Sequence, residues 1–306
     1  MVTDQLVIVR GGGDIATGTI AALRHAGFPV LILESEHPSA IRRTVALSEA
    51  VYEGSAQVED IRVQLAHNLD EAEYLLFQDG ISMLVDPDGE SISKIIDTEE
   101  KYSEWDTGLT TLEGGGRHLF LTAVVDAILA KKNLGTHKGM APYVIALGPG
   151  FTAGEGEDCD CDAVIETMRG HKLARVITDG CALANTGTPG VIAGHAGDRV
   201  LHSPAAGIIH TLAEIGDIVE GGQVIARLEE DTSNLVDVKA TFTGLLRGMI
   251  RDGFPVTEGF KIADIDPRAD QKENCYLISD KARNIGGAVV TQLVGYVSRK
   301  AVEETW

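Results

Sequence analysis

The stretch Gln5–Ser35 constrains the fold most, because it reads as a buried strand, a glycine-rich turn, a helix and a second buried strand. Leu6–Val9 is a short apolar run of the kind found in parallel sheets. Gly11–Gly13 follow at once, and apolar or small residues then recur with a helical period until Gly27 and Pro29 stop the helix. This order of elements predicts a parallel β-sheet with helices packed on it.

The glycine turn also has the spacing of a dinucleotide-binding fingerprint. Gly11-x-Gly13-x-x-Ala16 lies between a strand and a helix, where backbone amides and the helix dipole can face a pyrophosphate. Glu34 follows at the distance where an acid accepts a hydrogen bond from a ribose 2′-OH, which favours NAD over NADP. The negative charge of Asp14 at the start of the helix would repel a phosphate, unless Asp14 only caps the helix. A Rossmann-like unit with an empty or repurposed crevice stays open as an alternative.

A second junction between a strand and a glycine loop lies at Gly148-Pro149-Gly150, after a strand expected at Tyr143–Leu147. We expect both glycine loops at the carboxyl ends of the strands, where open α/β sheets bind their ligands. Basic pairs near these junctions are candidate anion ligands, although such pairs are also typical of solvated helix ends. These basic residues are Arg42, Arg43, Lys131 and Lys132.

The α/β domain is expected to span residues 1–198 as a Rossmann-like parallel sheet. Two polar segments, 56–80 and 162–170, are predicted to be helices that cross over between strands. Residues 88–118 are polar and acidic and are predicted to leave the sheet as an excursion. The alternation of strands and helices is the basis for this fold class.

An internal repeat indicates a second, all-β module over residues 199–268. Gly207, Gly216 and Gly222 recur as Gly244, Gly253 and Gly259. Neither copy could bury its own apolar face, so the two copies must interlock. Ile215–Gln223 resembles the GD-x-V-x-x-GQ turn of the biotinyl/lipoyl fold, which implies a barrel-sandwich hybrid. Thr232 stands where carrier domains of that fold have a modified lysine, so no biotin or lipoate attachment is expected.

Residues 269–306 are predicted to form a C-terminal helix that packs back on the α/β domain. Ser279 and Asp280 are suited to cap this helix, and apolar residues follow at helical spacing. Gly286 and Gly287 in its middle cost about 2 kcal/mol relative to alanines. Such a cost predicts close backbone packing or the approach of a ligand.

Charge and cysteine content limit the partners. With 46 acidic and 26 basic residues the net charge is −20, which disfavours binding to nucleic acid or to an anionic membrane. The four cysteines include no C-x-x-C pair, and no signal-peptide pattern or membrane-length apolar run is present. We therefore expect a cytoplasmic protein, and a homo-oligomer is compatible with these features.

Candidate catalytic residues are few. Cys159-Asp160-Cys161 could chelate a soft metal or carry redox chemistry, but neighbouring acids oppose thiolate formation, and an ordinary loop remains an alternative. Cys161, Cys181 and His171 are the candidates for chemistry, and no metal site is expected. The sequence has none of the common hydrolase, zinc-protease or P-loop motifs.

Several motifs together resemble the YqeB-like family of selenium-dependent molybdenum hydroxylase system proteins. They are Gly11–Gly18, Ala40–Val45, Val125–Asn133, Val144–Gly154, Asp162–His171, Asp264–Arg268 and Ile278–Arg283. The part expected to be Rossmann-like is also similar to XdhC-type xanthine dehydrogenase accessory proteins, which help to insert the sulfurated molybdenum cofactor. The resemblance implies a cytoplasmic maturation factor that handles selenium or molybdopterin, with a molybdenum hydroxylase as its client.

Three functions remain open at this point. The first is an accessory protein that binds molybdopterin or a dinucleotide, the second an NAD-dependent oxidoreductase, and the third a non-catalytic docking protein. Whether the protein is an enzyme is therefore left open. The candidate cofactor-binding residues are Gly11, Gly13, Asp14, Glu34, Arg42, Arg43, Lys131, Lys132, Gly148 and Gly150.

Overall fold

The computed structural model describes residues 2–103, 119–185, 194–231 and 234–303. The chain divides into two compact units. The first comprises Met1–Pro38, Leu47–Asn185 and Ser279–Trp306, and the second comprises Ser39–Ala46 and Thr186–Ile278. Thr232 and the part of the expected excursion from residue 104 to 118 lie outside the described residues.

A mixed β-sheet forms the centre of the first unit. Its strands are β1 (Gln5–Arg10), β2 (Val30–Glu34), β3 (Ser55–Val58), β4 (Ile61–Ala66), β5 (Ile81–Val85), β6 (Phe120–Asp126), β7 (Val144–Leu147), β9 (Ala163–Ile165) and β10 (Val176–Ile177). The described residues give nine strands in the order β10-β9-β7-β6-β1-β2-β5-β4-β3. The seven strands from β9 to β4 are parallel, while β10 and β3 pair antiparallel at the two edges. A separate antiparallel pair consists of β8 (Thr152–Ala153) and β11 (Gly180–Cys181).

Five helices are described: α1 (Asp14–His25), α2 (Ala50–Glu53), α3 (Leu69–Asp79), α4 (Glu90–Ser103) and α5 (Asp280–Glu303). Only α1 and α3 connect neighbouring parallel strands of the sheet in the described part of the chain. Between β6 and β7 the connection has a single 3₁₀ turn, and between β7 and β9 it has only the short strand β8. Helix α4 occupies the first part of the expected excursion.

The expected Rossmann-like parallel sheet was therefore wrong. The sheet is mixed, and one half of it lacks the crossover helices that this fold class requires. Residues 56–80 contain the hairpin β3–β4 before α3, and the segment after Asp162 forms β9 instead of a helix. Ala163–Ile165 are fully buried and pair with β7. Burial between strands therefore outweighed the helical pattern predicted for residues 162–170.

Helices α1 and α5 touch through their backbones. A Cβ on Gly18 would lie 2.5 Å from the Ala282 Cβ, and one on Gly286 would lie 2.4 Å from the Gly18 carbonyl oxygen. Ala22 also faces Gly286, so the two helices run in the same direction. The close packing expected from the glycine pair in this helix is confirmed at Gly286.

The second unit contains two four-stranded antiparallel sheets in the described residues. One has the order β12-β19-β17-β14 and the other β16-β15-β13-β18. Their bounds are β12 (Val200–His202), β13 (Gly207–Thr211), β14 (Ile218–Val219), β15 (Val224–Asp231), β16 (Asn234–Lys239), β17 (Gly244–Met249), β18 (Pro255–Val256) and β19 (Lys261–Asp266). The short strands β14 and β18 each pair with the opposite copy of the repeat, so the copies interlock.

Buried residues from both sheets form one apolar core, which includes Ile209, Leu228, Leu246 and Ile265. The hydrogen-bonded ladders remain two separate four-stranded sheets. The expectation of a biotinyl/lipoyl-like barrel-sandwich hybrid is therefore corrected: the second unit is described as two four-stranded antiparallel sheets around one apolar core. Across the described ranges, no helix combines the length and the apolar character needed to cross a membrane.

Candidate functional site

The carboxyl ends of the parallel strands bring polar residues together at one edge of the first unit. Arg10 ends β1 and pairs with Asp126, which ends β6. Glu34 ends β2, and Glu166 directly follows β9. Because parallel strands all end at the same edge, these residues line what we call the carboxyl edge.

The first glycine turn is packed against the chain itself. Gly11 has φ +99°, and a Cβ there would meet the Ala127 backbone at 3.1 Å. A Cβ on Gly12 would meet the Ser48 amide nitrogen at 3.0 Å. By contrast, a Cβ on Gly13 would meet no described atom within 4 Å. Of the three glycines, Gly13 therefore faces open space, while the other two allow the approach of protein backbone.

Glu34 contacts the glycine turn directly. One carboxylate oxygen accepts a hydrogen bond of 2.7 Å from the Gly12 amide. The other accepts hydrogen bonds from the Ser35 amide and hydroxyl, at 2.7 and 3.1 Å. Glu34 therefore fills the amide position that a pyrophosphate oxygen would need, and both of its oxygens are engaged within the chain.

A buried network continues this arrangement. The Arg10 Nη1 donates to the Thr136 hydroxyl at 2.5 Å, and that hydroxyl donates to Asp126 at 2.6 Å. The Arg10 Nη2 donates to the carbonyls of Pro87 and Leu134. Arg10 and Asp126 are almost fully buried, with 3.9 Å between their charged groups. Burial raises the pKa of Asp126, against the opposing effects of Thr136 and Arg10.

We call Arg10, Gly11, Gly12, Glu34, Asp126 and Thr136 the packed region. Its polar groups satisfy one another, as buried polar groups in proteins do. The glycines and the charged residues of the packed region therefore contact one another or neighbouring backbone at this part of the carboxyl edge.

The second glycine loop is also packed against protein. A Cβ on Gly148 would lie 2.7 Å from the Thr167 hydroxyl oxygen, and one on Gly150 would lie 2.7 Å from the Lys132 backbone. Gly150 and the two lysines are thus neighbours, and both lysine side chains are exposed. Lys131 has φ +63°, a left-handed conformation that is uncommon for a residue with a side chain.

Arg42 and Arg43 belong to the second unit, whereas the glycine turns belong to the first. Arg42 is buried and donates to the Asn274 carbonyl at 3.2 Å. Arg43 donates through Nε to the Met249 carbonyl at 2.9 Å. These bonds tie the segment Ser39–Ala46 to β17 and to the 3₁₀ turn Lys272–Cys275 of the second unit.

A group of charged residues lies beside Gly13, and of these the sequence predicted only Asp14 as a candidate ligand. Asp14 begins α1, and Asp280 and Lys281 begin α5. Because α1 and α5 run in the same direction, both helix N-termini lie at the carboxyl edge. The hydrogen bond of Gln292 to Tyr143, just before β7, places the later part of α5 towards the opposite edge.

Two residues that follow β9 complete this group. Glu166 is buried and accepts hydrogen bonds from the Met168 and Leu183 amides, at 2.7 and 2.8 Å. Arg169 forms a two-pronged ion pair with Asp280, at 3.1 and 3.3 Å. We call the five residues Asp14, Glu166, Arg169, Asp280 and Lys281 the lysine cluster.

Lys281 is the half-buried cation of this cluster. Burial lowers its pKa, and Arg169 lowers it further. Asp14, Glu166 and Asp280 act in the opposite direction with less effect. The sequence did contain a signal for this site. Its five residues lie inside three of the motifs that carry the family resemblance.

The cysteine and histidine candidates do not form a joint site. Cys161 is buried, and its burial, followed by Asp160 and Asp162, raises its pKa to about 12, so its thiol is a poor nucleophile at neutral pH. Cys181 is exposed and lies 3.4 Å from the Thr152 hydroxyl, while His171 is exposed. Over the described ranges, no group of three or more His, Cys, Asp or Glu side chains is placed to hold a metal ion.

Comparisons with known proteins agree with only part of these expectations. No protein-family model matches the chain. Solved structures that align with it include the product-bound ectoine utilization protein EutE (DoeB) from Ruegeria pomeroyi, 11% identical with a TM-score of 0.22, covering 86% of this chain and 57% of that one. An aspartoacylase family protein from Mesorhizobium loti is 11% identical with a TM-score of 0.25, covering 85% and 84%.

A succinylglutamate desuccinylase/aspartoacylase from Rhodobacter sphaeroides is 19% identical with a TM-score of 0.21, over 29% of this chain and 30% of that one. TM-scores this low assign no fold to the chain.

A comparison of sequences finds a protein that is more similar to the chain than these three solved structures are. The uncharacterized protein YqeB of Escherichia coli (strain K12) is 46% identical to the chain over 290 residues, which is 95% of this chain and 47% of that protein. The chain thus spans about half the length of the curated relative that it matches. The similarity to XdhC-type proteins is not confirmed. The chain is a homologue of YqeB.

Proposed function

We propose that the protein is an accessory protein for the maturation of a selenium-dependent molybdenum hydroxylase and that it holds a phosphate-bearing cofactor at the lysine cluster. The observation that carries this proposal is the convergence of three motifs of the family resemblance. Gly11–Gly18 supplies Asp14, Asp162–His171 supplies Glu166 and Arg169, and Ile278–Arg283 supplies Asp280 and Lys281. Residues this far apart in sequence meet at the edge where open α/β sheets bind ligands.

The composition of the cluster fits a ligand with both anionic and N–H groups. Lys281, Arg169 and the open N-terminus of α1 at Gly13 favour a phosphate group. Asp14 is an acceptor, as a ring N–H group of a pterin requires. A molybdopterin carries both kinds of group, so it suits this cluster better than an inorganic anion alone.

The alternative of an NAD-dependent oxidoreductase loses its main support. Glu34 was the residue that favoured NAD, and its oxygens accept hydrogen bonds from Gly12 and Ser35 instead. This carboxylate already accepts three hydrogen bonds within the chain. We therefore place molybdopterin ahead of a dinucleotide as the cofactor.

A binding experiment tests the position of the site. Inorganic pyrophosphate should raise the thermal unfolding temperature of the full chain, since a ligand at about 100-fold excess over its Kd adds about 2.7 kcal/mol. Gly13→Glu should abolish this shift, because its carboxylate would stand before the α1 N-terminus. Gly13→Ser, which fits the open space and can cap the helix, is the matched control. An unchanged shift in Gly13→Glu would place the anion elsewhere.

A second experiment tests the accessory role itself. Deleting the gene in its native host should leave a molybdenum hydroxylase of that host with less bound molybdenum or selenium, measured by elemental analysis of the purified enzyme. Restoring the intact chain should restore the content, whereas Lys281→Gln should not. Normal metal and selenium content in the deletion strain would contradict the proposal, and a docking role without cofactor handling would then be favoured.

A further inference from the structure

The two sheets of the second unit have four edge strands in the described residues, and one of them differs from the other three. β12 has three residues, and β14 and β18 have two residues each. β18 also begins with Pro255, whose nitrogen cannot donate a hydrogen bond. The fourth edge strand, β16, is six residues long and contains no proline. Because short strands and prolines protect a sheet edge from pairing with another chain, β16 is the least protected of the four.

The hydrogen-bond ladder shows which backbone groups of β16 point away from β15. In an antiparallel sheet, successive residues of a strand direct their backbone groups to opposite sides. The backbone amide and carbonyl of Ile209 in β13 both bond to the chain on the β18 side. Leu228 of β15 lies opposite Ile209 and therefore bonds to β16, where it pairs with Val236, and Ala240 also bonds towards β15. The backbone groups that point outward are those of the alternate residues Leu235, Asp237 and Lys239.

This outer side of β16 is accessible. In the described part of the chain no strand pairs with it, and the Leu235 side chain is 59% exposed. Asp237 and Lys239 are also exposed, and they lie on the same face of the strand because they are two residues apart. Asp237 lies 3.1 Å from Arg227 of β15, whereas no side chain within the described ranges pairs with Lys239. The edge therefore offers backbone donors and acceptors, one acid and one lysine.

We propose that β16 forms the interface of a homodimer by pairing antiparallel with β16 of a second copy of the chain. A two-fold axis perpendicular to the sheet keeps each side chain on its own face, so the axis must pass beside a residue and its own copy. An axis at Val238 places Asp237 opposite Lys239 of the second copy, and the reverse pair forms by symmetry. An axis at Asp237 would place two like charges opposite each other, and an axis at Val236 would place Asp237 opposite Leu235. The charges thus select the register at Val238.

The backbone supports the same register. Asp237 and Lys239 both direct their amides and carbonyls outward, so each Asp237 can exchange two hydrogen bonds with the opposite Lys239. Pairing of this kind supplies affinity through the main chain, while the side chains decide which strand fits. A strand that offers a lysine and an acid two residues apart in the antiparallel direction is what this edge requires. The second copy of the chain provides it.

The test is analytical ultracentrifugation of the full chain over a range of concentrations, in which we expect a dimer. Lys239→Asp and Asp237→Lys each replace two attractive contacts by two repulsive ones, so either change should raise the dissociation constant about tenfold or more. Mixing the two variants places opposite charges at both contacts, so a heterodimer should form. A chain that stays monomeric at all concentrations would overturn the proposal, and so would a dimer that neither variant weakens.

A matched control separates the position of the charge from its size. Glu258→Lys changes the net charge as much as Asp237→Lys, but this exposed residue follows β18, at the opposite edge of the same sheet. It should leave the dimer unchanged. Both edge variants alter exposed side chains, and circular dichroism checks that each is folded. A mixture of the two folded variants that remains monomeric would overturn the register.

The interface is independent of the proposed function, because β16 belongs to the second unit and the lysine cluster to the first. The two proposals can therefore fail separately. A dimer that does not bind pyrophosphate would contradict the cofactor site and support the interface. A monomer that binds pyrophosphate would contradict the interface alone.

Discussion

The packed region and the lysine cluster lie at the same carboxyl edge, each beside glycines of the first turn, but their surroundings differ. In the packed region, Glu34 accepts from the Gly12 amide, and Asp126 is linked to Arg10 through Thr136. In the lysine cluster, Lys281 is half-buried and Gly13 faces open space. Similar residues thus close one part of the edge and leave another part accessible.

The comparison shows that the glycines of one turn can have different roles. Two of its three glycines here make room for protein backbone, and one leaves space at a helix N-terminus. Substitutions in the packed region should therefore lower stability, and substitutions in the lysine cluster should change binding. The four predictions that follow test this difference, beginning with the largest expected effect.

Asp126→Ala should have the largest effect on stability. Removing one partner of a buried ion pair leaves the other charge without compensation and costs about 3–5 kcal/mol, and Arg10 here is almost fully buried. Urea unfolding measures the loss. Asp126→Asn keeps an acceptor for the Thr136 hydroxyl and should lose less. Equal stability of Asp126→Ala and the native chain would mean that the packed region does not close this edge.

Gly18→Ala should be next, because its Cβ would collide with the Ala282 backbone and side chain at 2.5–2.7 Å. Overpacking of this kind costs about 1–3 kcal/mol. The matched control is Gly287→Ala on α5, where a Cβ would meet no described atom within 4 Å. That change should stabilise the helix by about 1 kcal/mol. Opposite signs in thermal unfolding would confirm that α1 and α5 hold the lysine cluster through their backbones.

Glu34→Ala should cost about 1–2 kcal/mol, since the Gly12 amide loses a charged acceptor. Glu34→Gln keeps an oxygen in place and should recover part of this loss. Neither change should reduce pyrophosphate binding at the lysine cluster. If Glu34→Ala instead left stability intact and weakened NAD binding, the carboxylate would serve a ligand, and the packed region would extend less far than described.

The smallest effect should be the pH dependence contributed by Lys281. Its pKa is lowered in the folded protein from the usual 10.5, so the unfolded chain binds more protons in the window below 10.5. Stability relative to Lys281→Met should therefore rise as the pH increases through that window. Urea unfolding of both proteins at neutral and alkaline pH measures the difference. A difference that falls with rising pH would contradict the assigned environment of this lysine.

Part of the fold could be predicted from local sequence. The strand–turn–helix–strand order of Gln5–Ser35 is observed as β1, α1 and β2, because apolar runs and stop signals act over a few residues. The helix after Ser279 and the interlocking of the repeat copies also follow from local periodicity. The predicted helix after Asp162 was wrong, because a buried three-residue strand is too short to show a period of its own.

The contacts of the candidate site residues could be predicted only in part. The glycine turn was found, and the predicted Glu34 lies beside it, where it accepts a hydrogen bond from the Gly12 amide. Arg42 and Arg43 bind carbonyl groups of the second unit, more than 200 residues away in sequence. Lys281, Arg169 and Glu166 were overlooked because each is an ordinary charged residue in its own segment.

The sequence by itself determined the strand–turn–helix–strand order of Gln5–Ser35, the repeat of the second unit and the similarity of the chain to YqeB. Only the tertiary structure decided which charged groups satisfy one another and which remain accessible. The physical reason is that hydrogen-bonding partners such as Arg10 and Thr136 are 126 residues apart, so no local pattern encodes their pairing. Burial of Arg10 and Asp126 then makes their charges depend on partners within the fold.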